Sequence, residues 1–282
     1  SETLNFLGND YSDLGKYDEA YYYFTQSYRV ARAINDSLKM TVAIYNIGTV
    51  LTEMGQYDLA LDHFSVATKL SEAIDDLDGL PHNQDAVGDV FLRKKDFDKA
   101  EENLLKALKN TKARNITVLE PRIRKNLARL YFATNKFEQA FASYDTAIQI
   151  YRSTGNAFGE AGVNLGISEI LIEQGQFDEA REKIESSLAT ATGFNADKMS
   201  IDCYKLLSSL AERKGDFKAA LAYHKNYKQM EDSLFSQDML EKIFHDQLRF
   251  RTEVKDLEIA TLSKAKSDQQ EELKREEFLR NI

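Results

Sequence analysis

Three basic residues in the middle of the chain have a spacing that could form an anion-binding site. Arg122, Lys125 and Arg129 are separated by three, four and seven residues, so on an α-helix they share one face. Aligned guanidinium and ammonium groups can bind a carboxylate or the acidic part of a peptide. The competing interpretation, which we favour, is that these cations pair with carboxylates on neighbouring helices. Those carboxylates would be Asp85, Asp89, Glu169 and Glu173.

The other reactive residue types do not form a catalytic or metal-binding pattern. The histidines never have the H-E-x-x-H spacing of a zinc site; they are His63, His82, His224 and His245. No nucleophile elbow, phosphate-binding loop or dinucleotide-binding glycine motif occurs. Cys203 is the single cysteine, and we expect it to be a small buried residue. We therefore expect no catalytic residues, no metal site and no cofactor within this sequence.

Charge and hydropathy exclude two further classes of function. The chain has 282 residues and a net charge of −9, which argues against a general nucleic-acid-binding surface. No run of about 18 apolar residues is present, so no membrane span is expected in this region. Hydrophobic residues make up 43% of the chain, enough to bury a substantial core.

A six-residue phrase recurs along the chain at a constant interval. It reads GKYDEA at residues 15–20 and returns as GQYDLA, KDFDKA, NKFEQA, GQFDEA and GDFKAA. Each copy begins 40 residues after the previous one, at 55, 95, 135, 175 and 215. Apolar residues recur three and four positions apart on both sides of each copy, which predicts helix, tight turn and helix. Such regularity indicates stacked units whose apolar faces are covered by their neighbours.

The resulting pattern resembles the tetratricopeptide repeat family over about residues 1–230. This resemblance implies an all-α fold, namely a right-handed superhelical α-solenoid of six helix pairs over residues 1–232, followed by a long C-terminal helix over 233–282. The usual repeat has 34 residues, so each unit carries six more. We expect Asp36 and Asp197 to be N-caps and Gly155 and Gly193 to end helices. Pro81 and Pro121 are expected in first helical turns.

In this family the first helices of successive pairs line a concave groove, and the resemblance implies which residues face it. Carried over by the 40-residue spacing, the candidate residues for binding a protein or peptide are Tyr45, Asn46, Asp89, Arg93, Arg122, Lys125, Asn126 and Arg129. Asn46 and Asn126 match the asparagine with which relatives hold a peptide backbone. Ala86 and Gly166 replace it in the third and fifth units, so a complete asparagine ladder is not expected.

The segment after residue 232 contains neither proline nor glycine, which predicts a helix. Its apolar first half would cap the last repeat, and its alternating spacings of four and three suggest a coiled-coil seam that could form a homodimer. A solenoid followed by such a helix resembles the sensor region of bacterial membrane-bound histidine kinases with tetratricopeptide repeats. This resemblance implies a location on the extracytoplasmic face of the inner membrane, next to a membrane span.

We therefore expect a non-enzymatic sensor module of a signal-transduction receptor, which binds a protein or peptide and relays binding through its C-terminal helix. One alternative is a cytoplasmic scaffold that holds a partner protein. Another is a regulatory domain fused to a cyclase or to a DNA-binding domain. The sequence does not identify the ligand.

Overall fold

The computed structural model describes residues 1–234, together with Lys255 and Lys266. Residues 1–234 form twelve α-helices and contain no strand. The helices are α1 Glu2–Asp13, α2 Tyr17–Ala33, α3 Ser37–Glu53, α4 Tyr57–Ala73, α5 Gly79–Arg93, α6 Phe97–Ala113, α7 Glu120–Ala133, α8 Phe137–Ser153, α9 Ala157–Glu173, α10 Phe177–Gly193, α11 Asp197–Arg213 and α12 Phe217–Leu234. The prediction of an all-α solenoid of six helix pairs is confirmed.

The long helix predicted for the C-terminal segment, with its coiled-coil seam and its dimer contact, lies outside the described residues. The domain boundary after residue 232 stays a prediction. None of the described helices is both long and apolar enough to cross a membrane.

Every connection between two helices contains one residue in the left-handed conformation, and these residues recur every 20 positions. Five are glycines, and the other six, with φ between 53° and 61°, are Asn35, Asp75, Lys95, Asn115, Asn135 and Asn195. The residue that follows donates its backbone N–H to a carbonyl five positions earlier, as Lys16 does to Tyr11 at 2.8 Å. This bond satisfies a carbonyl that the helix end leaves free. Turns within and between units are therefore alike, and the six extra residues lengthen the helices.

The 20-residue spacing corrects two of the predicted helix boundaries. Asn195, not Gly193, takes the left-handed conformation, and Gly193 is the last residue of α10. Asp197 is the first residue of α11, whose N-cap is Ala196 and has no side-chain hydrogen bond. The other predictions are confirmed, since Asp36 accepts from the Lys39 N–H at 3.0 Å and Gly155 has a φ of 66°. Both prolines occupy first turns, as expected.

Lys95 is the left-handed residue with the longest side chain, and it offers a test of the turn geometry. A Cβ in this conformation costs free energy that glycine avoids, so we expect Lys95→Gly to raise the free energy of unfolding by about 1 kcal/mol. Gly55 is its counterpart, with a φ of 75° and no atom within 4 Å of an added Cβ. Gly55→Ala should lower the free energy of unfolding by a similar amount. Urea titrations of both variants measure the difference, and a loss of stability in Lys95→Gly would contradict this account.

Close helix packing within each pair depends on one small residue that faces a large one. A Cβ added to Gly48 would lie 2.7 Å from the ring of Phe64, and one added to Gly88 would lie 2.7 Å from Leu104. The side chains of Phe64 and Leu104 are fully buried. The core consists of such contacts repeated along the solenoid. Cys203 belongs to it, and burial, with the nearby charge of Asp202, raises the pKa of its thiol to about 12.

The odd-numbered helices form the inner surface of the solenoid. Each of them packs against the next odd-numbered helix, from α1 to α11, as well as against its even-numbered neighbours. No comparable contact joins two even-numbered helices within residues 1–234. The odd-numbered helices are therefore closer together, which is the arrangement that curvature towards them requires. We call them the inner helices.

Candidate functional site

The inner helices α3, α5 and α7 bring most of the predicted groove residues together. A cavity of about 180 Å³, which we call the small cavity, is lined by seven of the eight. These are Tyr45, Asp89, Arg93, Arg122, Lys125, Asn126 and Arg129. The eighth, Asn46, donates its amide to the Asn5 side chain at 2.8 Å and does not line this cavity.

One carboxylate in the small cavity binds two neighbouring side chains directly, and one of these binds a third. Asp85 is only 3% exposed and accepts from Arg122 Nε at 2.7 Å and from Asn126 Nδ2 at 3.0 Å. Arg122 also donates from Nη2 to the hydroxyl of Tyr45 at 3.0 Å. The predicted backbone-holding amide of Asn126 is therefore engaged within the protein, as is that of Asn46.

A second carboxylate lies between two guanidinium groups. Asp89 accepts from Arg93 Nε at 2.8 Å and from Arg129 Nη1 at 2.6 Å. Arg93 also pairs with Glu53, exactly one repeat earlier in the chain. Burial alone would raise the pKa of Asp89, but the two arginines outweigh it and hold this pKa well below its usual value. The result is a continuous network of charges that joins three successive units.

Two of the three aligned cations are thus neutralised, and the third is not. Arg122 and Arg129 pair with Asp85 and Asp89, as the interpretation that we favoured expects. Lys125 forms no ion pair or hydrogen bond with any residue that the structure describes. Burial and the nearby charge of Arg129 lower the pKa of its ammonium group.

A second cavity, of about 550 Å³, lies on the same inner surface and is lined by residues of all six inner helices. We call it the large cavity. It shares Lys125 and Arg129 with the small cavity and extends to Asp13 on α1, Glu169 on α9 and Asp202 on α11. Both ends of the solenoid therefore contribute to the wall of one cavity.

Two glycines on α9 line the large cavity. A Cβ at Gly162 would fit without overlap, in van der Waals contact with Lys125 Nζ at 3.7 Å and Met199 Cε at 4.0 Å. A Cβ at Gly166 would instead overlap the hydroxyl of Tyr144, which reaches α9 from α8. This hydroxyl is buried and has no hydrogen-bond partner among the described residues. Burial and the charge of Glu169 raise the pKa of Tyr144.

Glu169 also lacks a partner in the described part of the chain. Burial raises the pKa of its carboxyl group, although the charge of Arg129 opposes this effect. Glu173, which was expected to pair with the groove cations, pairs instead with Arg213 on α11. The predicted pairing of the groove cations therefore holds for Asp85 and Asp89 only.

The large cavity and most of its wall were not predicted from the sequence. Extending the 40-residue spacing from Glu53 back to Asp13 identifies one more inner residue. It does not show that α1 and α11 line the same cavity. Tyr144 follows Phe64 and Leu104 at the 40-residue spacing, and its hydroxyl, which those two residues lack, was the available signal. Within residues 1–234 no group of side chains could hold a metal ion.

Comparisons with known proteins agree with this architecture. The family model for the tetratricopeptide repeat matches residues 1–73, 40–113 and 82–153, more than half of the chain. No curated protein matches the sequence.

Several solved structures have a similar fold. BtubC (BKLC) from P. vanneervenii is 20% identical with a TM-score of 0.56, and the alignment covers 76% of this chain and 90% of that one. The apo form of RapI is 12% identical with a TM-score of 0.63, covering 86% and 84%. A Rap protein complexed with competence and sporulation factor is 17% identical with a TM-score of 0.66, covering 83% of this chain and 65% of that one. With its six stacked helix pairs and the matching family model, the chain belongs to the tetratricopeptide repeat family.

Proposed function

We propose that this chain is a non-enzymatic binding module that holds a peptide, or an exposed segment of a partner protein, on its inner surface. Tetratricopeptide repeats are protein interaction modules, and the observation that carries the proposal is the large cavity, to which all six inner helices contribute. Its volume of about 550 Å³ is within the range of pockets that enclose a small ligand. The Rap protein complexed with competence and sporulation factor supports this choice, since it has the same fold.

The proposal extends to signalling in a bacterial receptor of the histidine kinase type, with the ligand bound on the extracytoplasmic face of the membrane. A solenoid is held together by contacts between neighbouring units, so a ligand that touches all six units favours one curvature over others. A change in curvature would alter the orientation of α12 and of the segment that follows it. That segment would pass the change to an output domain.

Filling the large cavity tests the binding proposal. Gly162→Leu adds a side chain at the wall of the cavity, beside Lys125 and Met199, and it replaces a mid-helix glycine with a better helix former. A synthetic library of peptides five to eight residues long is first screened for peptides that the whole chain retains. We expect the affinity of these peptides for Gly162→Leu to be at least about tenfold lower than for the wild type. Affinity is measured by isothermal titration calorimetry.

Gly193→Leu is the matched control, because it makes the same substitution at a helical glycine that has no atom within 4 Å of an added Cβ and does not line either cavity. It should retain wild-type affinity. Equal affinities of both variants for the retained peptides would show that binding takes place elsewhere. A library from which the whole chain retains nothing would contradict the proposal itself.

A further inference from the structure

The large cavity contains charged side chains that the protein does not neutralise. Most charged residues of its wall are paired; the pairs are Glu53 with Arg93, Asp89 with Arg129, Lys198 with Asp202, and Lys205 with Glu231. Three others, Asp13, Lys125 and Glu169, form no ion pair or hydrogen bond with the residues for which the structure gives positions. Two negative charges and one positive charge leave this cavity wall with an unmatched charge of −1.

Two of these unpaired charges and one unpaired hydroxyl are arranged along α9. The ammonium group of Lys125 lies 3.7 Å from the Cβ position of Gly162. Glu169 follows Gly162 by seven residues, so the two positions share one helix face and are about 10 Å apart along the axis. Gly166 lies between them, and the Tyr144 hydroxyl packs against it.

The unpaired Tyr144 hydroxyl is buried behind the cavity wall, whereas Lys125 and Glu169 are partly exposed to the cavity. Tyr144 is only 1% exposed, its hydroxyl has no partner in the described residues, and it lines the large cavity. A polar or charged group without a partner costs free energy that a ligand can recover where it reaches the group. A ligand group of opposite charge would recover such free energy at Lys125 and at Glu169, because burial disfavours the ionised forms of both side chains.

We propose that the large cavity binds a short extended peptide that places a carboxylate on Lys125 and a protonated amine on Glu169. An extended chain spans about 3.3 to 3.6 Å per residue, so about three residues fit the separation of these groups. A ligand with only one of the two charges leaves the other side chain buried without a partner, which costs affinity. Asp13, at the end of α1, favours a second positive charge on the ligand. This inference rests on the proposed function and specifies its ligand.

The test uses a tripeptide library in which the termini are free, N-acetylated, C-amidated or blocked at both ends. We expect the whole chain to retain peptides with free termini at least about tenfold better than those with one terminus blocked. Peptides blocked at both ends that are still retained should contain lysine or arginine together with aspartate or glutamate. That outcome also supports the proposal and assigns the two charges to side chains of the ligand.

Two variants test which residue binds each end of the ligand. Lys125→Met should lose the preference for a free carboxylate and keep the preference for a free amine, whereas Glu169→Gln should do the reverse. Lys198→Met is the matched control, because Lys198 lines the same cavity but is paired with Asp202. It should keep both preferences. The unfolding midpoints of the first two variants should not fall, since neither side chain has a partner to lose.

Equal retention of all four library forms, or preferences that Lys125→Met and Glu169→Gln leave unchanged, would overturn this inference. The proposed function would survive that outcome if longer peptides still bind and still lose affinity for Gly162→Leu. If no peptide of any length is retained, the proposed function and this inference both fail.

Discussion

Replacing Asp89 with alanine is expected to lower the free energy of unfolding by about 3 kcal/mol, the low end of the range for breaking a buried ion pair. Asp89 accepts hydrogen bonds from Arg93 and Arg129, and its side chain is 16% exposed. Without it, two guanidinium groups would face each other with no carboxylate between them. Arg93 would keep Glu53 as a partner, which limits the loss. Urea titration at neutral pH measures the change.

The pH dependence of stability gives a second readout for the same residue. The arginines lower the pKa of Asp89 below its ordinary value of 3.8, so the unfolded chain binds this proton more readily than the folded one. The stability that Asp89 contributes is therefore fully present above about pH 4 and is lost as the pH falls towards the folded-state pKa. In Asp89→Ala we expect the decrease in unfolding free energy between pH 5 and pH 3 to be smaller than in the wild type.

Asp58 provides the matched control for both measurements. It pairs with Lys94 at 2.6 Å, but its side chain is 89% exposed. Exposed pairs contribute about 0 to 1 kcal/mol, so Asp58→Ala should change stability by less than about 1 kcal/mol. If both variants lose the same amount, the charge network of the inner helices is no more stabilising than a surface pair.

The fold could be predicted because its determinants are local and repeated. Gly48, Ala60 and Phe64 have counterparts 40 residues away in each direction, so one unit defines the next. The same spacing identified the inner face, and seven of the eight predicted groove residues do line one cavity. The spacing of Arg122 and Arg129 placed them on one face, and the acidic residues one unit earlier supplied their partners.

The large cavity could not be predicted because it depends on how far the solenoid curls. The curvature of a solenoid is the sum of small rotations between successive units, and the residue pattern within one unit does not determine this sum. Asp13 and Asp202 are almost two hundred residues apart in sequence, yet both line this cavity. Gly166 was counted as the loss of a binding asparagine, whereas in the structure its missing side chain makes room for the Tyr144 hydroxyl. The missing side chain of Gly162 leaves space at the cavity wall.

The boundary errors at Gly193 and Asp197 have a different origin. Both predictions relied on intrinsic preferences, of glycine for helix ends and of aspartate for N-caps. Each preference is worth about 1 kcal/mol or less. The packing of α10 against α11 fixes the left-handed residue at Asn195, two residues after Gly193, and the N-cap at Ala196, one residue before Asp197. Tertiary contacts repeated every 20 residues override such preferences when the two disagree.

Replacing Gly48 with serine is expected to lower the free energy of unfolding by about 2 to 3 kcal/mol, because the added atoms overlap the buried ring of Phe64. The fifth unit shows how the sequence accommodates a larger residue here. In the same positions it has Ser168 and Ile184, both fully buried. The Ser168 hydroxyl donates to the carbonyl of Asn164 at 2.7 Å, so the polar atom is satisfied within its own helix.

Phe64→Ile should therefore rescue Gly48→Ser, since the double variant reproduces the pair of the fifth unit. Alone, Phe64→Ile removes a ring that packs against Tyr45, with ring centroids 5.7 Å apart, and leaves space in the core. Together, the two substitutions should cost about 1 to 2 kcal/mol less than the sum of the single changes, as expected for residues in direct contact. A double-mutant cycle by urea denaturation measures this coupling. Additive losses would mean that the small residue and its large neighbour are not matched to each other, and that the 40-residue repeat does not preserve this contact from one unit to the next.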